Sequence, residues 1–186
     1  MKLRLFLPLF ACMIVFFGTS CEGLEDALEK DFNISNTVPV TITGASAQQV
    51  NATIKEVDFN NGDLKEHKDK IKDLTLDGIT LKVTQFTASS GNTVKPILNG
   101  QLEFAQSGST SFKKIGNITN LDLATQFSTP SSTDITVPLE EANKNELMNL
   151  IKGGNIVQFR MTGSTNTTFT SATVDFKIIS TLTAGL

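Results

Sequence analysis

The chain has no tryptophan, no tyrosine, one histidine and two cysteines in 186 residues. Each shortage removes a class of function. Exposed aromatic rings with a polar tip are the usual platforms for stacking on sugars, and that hardware is missing here. With His67 alone, no multi-histidine zinc site can form, and a serine triad would have to use that one residue. Basic side chains number 16 against 19 acidic ones. A nucleic-acid binder normally carries a basic surplus or stripe, so no nucleic-acid partner is expected, nor adhesion to anionic lipid by charge alone. Long apolar runs are also absent. The longest, Leu5 to Phe17, has thirteen residues and contains Pro8, short of the roughly 18–20 that a membrane-crossing helix needs.

What is present begins with that run. Met1-Lys2-Leu3-Arg4 places two positive charges ahead of it, and Gly18-Thr19-Ser20 follows with small residues that a peptidase can bind extended. These are the three regions of an export signal, with cleavage between Ser20 and Cys21. The segment Gly18-Thr19-Ser20-Cys21 resembles the lipobox of bacterial cell-envelope lipoproteins: an apolar residue, two small residues, then the cysteine that is lipidated. Here Gly18 stands where the apolar residue is usual, with Phe17 one step further out. The resemblance implies a diacylglycerol on the Cys21 thiol, often a fatty acyl chain such as palmitate on the new amine, and attachment to the cell envelope. The outer membrane is the expected site, with the domain facing the periplasm or the surface. The plain alternative is an ordinary secretory signal. Cysteine arithmetic opposes it: Cys12 leaves with the signal, and a lone free thiol in an oxidising compartment is a liability that acylation removes.

Cleavage there takes 20 residues from 186 and leaves 166, the size of one domain whose core stands without disulfides. Lys2 and Arg4 depart with the signal, so 14 basic side chains face 19 acidic ones, a charge near −5. Residues 21–36 carry Glu22, Glu25, Asp26, Glu29 and Asp31 against Lys30, and read as an acidic, lipid-anchored tether. Such acidic residues also resemble, loosely, the export signals of some surface lipoproteins. Residues 37–186 form the domain.

Within it, period-two alternation dominates. Val38, Val40 and Ile42 mark one strand, and Val50, Ala52 and Ile54 another. Asn60-Asn61-Gly62 is a turn, and Asp63 with Glu66 opens a helix of two or three turns with Leu64, His67, Lys68 and Ile71 on one face. Leu74–Leu76 and Ile79–Val83 are out of step by one across Asp77-Gly78, which a bulge at Gly78 repairs, with a tight hairpin as the alternative. Leu98, Leu102 and Phe104 mark a further strand, and residues 112–123 break at Gly116-Asn117 into two pieces. Residues 127–134 read as loop, and Ile135–Val137 as a brief edge strand stopped by Pro138. Asn143 and Glu146 cap a second helix that Gly153-Gly154 ends. Val157, Phe159 and Met161 pair with Val174, Phe176 and Ile178 as a terminal hairpin. About eight mostly antiparallel strands with two short helices predict an all-β fold, a β-sandwich, with a β-barrel as the alternative.

Few residues invite chemistry. Asp58, Asn60 and Asp63 cluster hard oxygens around Gly62, but the glycine falls one position early for a calcium loop, and a turn with a helix cap accounts for them. His67 lies between Glu66 and Lys68, where a solvated side chain is expected. Asn33, Asn51, Asn117 and Asn166 fit the glycosylation acceptor pattern, which matters only in a eukaryotic secretory setting. The expectation is therefore a non-catalytic, lipid-anchored envelope protein that binds or scaffolds a protein partner, with Cys21 as its one functional residue. No catalytic residue, metal or cofactor is assigned. A module for a glycan or small apolar ligand would instead need exposed phenylalanines or a lined cavity between sheets. A hydrolase would need carboxylates or a hydroxyl converging on His67.

Overall fold

The structure, a computed structural model, describes residues 29–46, 49–60, 62–129 and 134–185. Its elements in chain order are β1 (Glu29–Ser46), β2 (Gln49–Ala52), β3 (Lys55–Asp58), α1 (Gly62–Glu66), β4 (Ile71–Ala88), β5 (Ile97–Gln106) and β6 (Lys113–Asp122), then α2 (Leu123–Ser128), β7 (Ile135–Thr136), α3 (Glu141–Lys152), β8 (Ile156–Thr165) and β9 (Phe169–Gly185). They form two antiparallel sheets, β2-β1-β9-β4-β7 and β3-β8-β5-β6. This is the expected all-β sandwich, with two separate sheets rather than the single closed one of a barrel.

The alternating residues face each other across the core. Val38, Val40 and Ile42 of β1, Leu98, Leu102 and Phe104 of β5, and Val174, Phe176 and Ile178 of β9 are all buried. Asp77 is the extra residue in β4: Leu76 pairs with Ser180 and Gly78 with Ile179, so both halves of the strand keep their apolar side chains on one face. The strands β1, β9 and β4 have 18, 17 and 18 residues, whereas β5, β6 and β8 have 10 each. The long sheet therefore overhangs the short one, and α3 packs beneath β4 with Leu147, Met148 and Ile151 buried.

Several expectations are corrected. Residues 29–36, read as tether, already belong to the sheet: Glu29 pairs with Gly185, and the ladder to β9 continues through Asn36. Phe32 and Ile34 carry the alternation of Val38 and Val40 back through that polar stretch, so it is strand and not tether. The last two strands are not a hairpin, because β8 pairs with β3 and β5 while β9 pairs with β1 and β4. Alternation tells which face is buried but not which strand lies alongside, and these two cover the same core from opposite sides. The helix after Gly62 is only five residues, followed by a tight turn over Lys68–Lys70, because Ile71 already pairs with Ala184. Residues 113–122 are one strand with two irregularities rather than two pieces. Ile54 lies outside any strand and is 54% exposed, while the charged run Lys55–Asp58 pairs with β8.

α2 was not expected: it takes Leu123, read as a strand end, and Phe127 and Ser128, read as loop, and it is capped by Asp122, whose carboxylate accepts from the Thr125 N–H at 2.8 Å. α3 begins two residues before Asn143, whose amide instead donates to the Lys114 carbonyl at 2.7 Å. Its end is as expected: Gly153 and Gly154 donate to the carbonyls of Asn149 and Ile151, with Gly154 at φ +67.

Candidate functional site

Cys21 and the Ser20–Cys21 junction lie outside the described residues. The chain enters the sandwich at one end, where Glu29, Gly185 and Ile71 come together. At the other end lie residues 89–96, residues 166–168 and α2. The two ends differ in surface: Val94 is 56% exposed and Phe127 is 46% exposed, both at the far end. The Lys95 ammonium ties residues 92–96 to α2 through the Thr125 hydroxyl at 2.7 Å and the Asp122 carboxylate at 3.5 Å. Burial alone would raise the Asp122 carboxyl, but the Thr125 N–H and hydroxyl, with Lys95, outweigh it and hold it below its ordinary value.

Phenylalanine is the one aromatic type available for contact. Phe59, Phe104, Phe159, Phe169 and Phe176 are buried, and Phe32, Phe86 and Phe112 are half-buried. Phe127 is thus the exposed ring among the described residues. The turn at Asp58 is as expected: its carboxylate accepts from the Asn60 N–H at 2.8 Å, and Gly62 has φ +50. Among the described residues no group of three or more His, Cys, Asp or Glu side chains is placed to hold a metal ion. His67 sits in the turn after α1 with its ring 4.4 Å from that of Phe32, a packing contact rather than a solvated position.

Two features were not anticipated. The first is a carboxylate on the outer face of the short sheet. Glu103 is buried there and accepts from the Arg160 Nε at 2.7 Å, the Gln101 amide at 3.1 Å and the Thr162 hydroxyl at 3.3 Å. The Arg160 guanidinium lies 3.9 Å from the centre of the Phe112 ring. Residues 107–112 fold over this face, and the Gln158 amide donates to the Gln106 and Ser109 carbonyls. These groups satisfy one another, which makes the cluster a clamp for that loop.

The second is a strap. Residues 135–140 cross from one sheet to the other along the open side of the sandwich: Val137 N–H donates to the Ile79 carbonyl in the long sheet, while Pro138 accepts from Asn117 N–H and Glu140 donates to Ile115 in the short one. Gly116 allows the crossing, since a side chain there would run into the Val137 methyl and the Pro138 carbonyl. Where the strap leaves β6 for β4 it opens a cleft of about 270 Å³, floored by Leu81, Ile118, Leu121 and Val137 and rimmed by Asn120 and Gln126. Asn120 has φ +52, with its N–H held by the Asn99 side chain at 2.8 Å.

No family model and no curated protein matches the chain. Among solved structures, a chain from Desmodium yellow mottle tymovirus is similar over 84% of this chain and 90% of its own, at 13% identity and a TM-score of 0.28. That likeness carries no argument about function.

Proposed function

We propose that the protein is a non-catalytic envelope lipoprotein, anchored through lipid on Cys21 and binding or scaffolding a protein partner at the cell envelope, the outer membrane being the expected site. The observation that carries the reading is the Gly18-Thr19-Ser20-Cys21 segment behind a thirteen-residue apolar run. The decisive measurement is the intact mass of the membrane-extracted protein. A mass starting at Cys21 plus acyl chains, lost in Cys21→Ser, is expected. Cleavage elsewhere without added lipid would sink the anchor and return the chain to an ordinary secreted domain.

The cleft beside the strap favours a second reading, a site for a small ligand with an apolar body and a hydrogen-bonding rim, since its volume is only slightly under the usual range for such sites. The neutral apolar dye N-phenyl-1-naphthylamine tests it. Saturable fluorescence abolished by Ile118→Glu would support ligand binding, and unsaturable or unchanged fluorescence would remove it.

A further inference from the structure

We propose that two copies of this chain associate by pairing the outer edges of their β1 strands, antiparallel about a two-fold axis at Asn33. This rests on the described sheet and not on the lipid reading. β2 covers β1 only from Ile42 to Ser46, and the Thr53 N–H reaches Thr41, so among the described residues no strand lies against the outer edge of residues 29–40. The free groups on that edge belong to the odd positions. The Thr41 carbonyl points outward to Thr53, and pleating repeats every second residue, so Asp31, Asn33, Ser35 and Thr37 turn their N–H and C=O groups the same way. Pro39 lies in the same set, where its missing N–H leaves the ladder to β9 intact and closes the edge to further pairing.

A two-fold pairing of odd positions can centre on a hydrogen-bonded or a non-hydrogen-bonded pair, Asp31 to Ser35. Centred on Phe32, it would set the Lys30 ammonium against Ile34 on the inner face; centred on Ile34, it would set Lys30 against the buried Val38 and Glu29 against Pro39, which has no N–H to give. Centred on Asp31, it would set two carboxylates against each other. Centred on Ser35, it would place Pro39 opposite Asp31 and run into the stretch that Thr53 occupies. Centred on Asn33, it sets Asp31 against Ser35 and Glu29 against Thr37 on the outer face, with no like charges opposed. On the inner face it sets Phe32 against Ile34 twice, aromatic against β-branched, and Lys30 against Asn36. The burial along β1 fits this arrangement: Phe32 and Ile34 are half-exposed where Val38 and Val40, on the same face, are fully buried. Phe32 and Ile34 lie on the overhang of the long sheet, and the apolar surface they leave open is what pairing with a second copy would cover. The other sheet edges are guarded differently: β2 and β3 have four residues each, β6 is irregular and partly covered by the strap, and β4, which β7 pairs only at Thr80 and Leu81, is broken by four irregularities and flanked by α2 and α3. An isologous edge of this kind closes as a dimer and does not propagate.

The test is the number of copies per particle, measured by light scattering on the full chain extracted in detergent. Two copies are expected. Ser35→Pro removes an outward N–H from each copy while leaving the pairing with β9 as Pro39 does, and is expected to weaken the dimer at least about a hundredfold while leaving the unfolding midpoint of the diluted, dissociated chain unchanged. Asn33→Asp, which alters no backbone group, sets two carboxylates face to face at the axis. It is expected to weaken the dimer about tenfold at low salt and less at high salt. One copy per particle at every concentration overturns the proposal, and so does a dimer that both variants leave intact.

Discussion

The two open sides of the sandwich are handled differently. On the side of β6 and β7, residues 135–140 hydrogen-bond to both sheets, and the rest of the β4 edge is interrupted by irregularities. On the side of β1, the chain crosses between sheets through β2 and β3 but covers only the second half of the long strand. An edge can be blunted by a strap, by shortness, by a bulge or by proline, and among the described residues the first half of β1 has none of these until Pro39. A sheet of 18-residue strands facing one of 10-residue strands leaves backbone at its overhang that the chain's own short strands do not reach.

The largest expected effect separates the two faces of one strand. Ile34→Pro removes an N–H directed at β9 and should cost about 3 kcal/mol or more in urea unfolding of the diluted, dissociated chain, whereas Ser35→Pro next to it should stay within about 0.5 kcal/mol there. Equal losses would show that the odd positions of β1 are not its free edge. Gly116→Val comes next. It drives a side chain into the strap, and about 2–3 kcal/mol should be lost, together with faster proteolysis between β7 and α3. An unchanged midpoint would mean that the strap lifts away at little cost.

Asp122→Ala should cost about 1 kcal/mol through loss of the α2 cap. The folded carboxyl lies below its ordinary value of 3.8, so the stability it contributes is present above that value and fades as pH falls through the lowered one. Asp122→Asn should therefore flatten part of the acid limb of unfolding below about pH 4, and a limb of unaltered slope would contradict the assignment. The smallest effect belongs to Lys113→Ala. Its ion pair with Glu146 is 44% exposed on both sides, and a change under about 0.5 kcal/mol is expected by thermal unfolding.

Much of the sandwich is legible from alternation. Val38, Val40, Ile42, Leu102, Phe104 and Phe176 could be assigned to the core one by one, and even the bulge at Asp77 follows from two patterns out of step. The strand Lys55–Asp58 and the first third of β1 are hard to read for different reasons: Lys55–Asp58 holds a single apolar residue, Val57, and the alternation of Phe32 and Ile34 is cut off from that of Val38 and Val40 by the polar Asn36 and masked by the charges of Glu29, Lys30 and Asp31. The Glu103–Arg160 clamp was invisible for another reason: its members come from strands 57 residues apart, and nothing local marks them. The cleft and the strap likewise depend on where Pro138 and Gly116 meet.

By itself the sequence determined that most residues form half-buried strands, and which faces those strands bury. These are local matters, decided by side-chain chemistry at a period of two. Only the tertiary structure decided that β8 and β9 lie in different sheets, that residues 135–140 bind both, and that no described strand covers the outer edge of the first half of β1. Pairing joins backbone groups that are the same in every residue, so the choice of neighbour is left to the packing of the whole core.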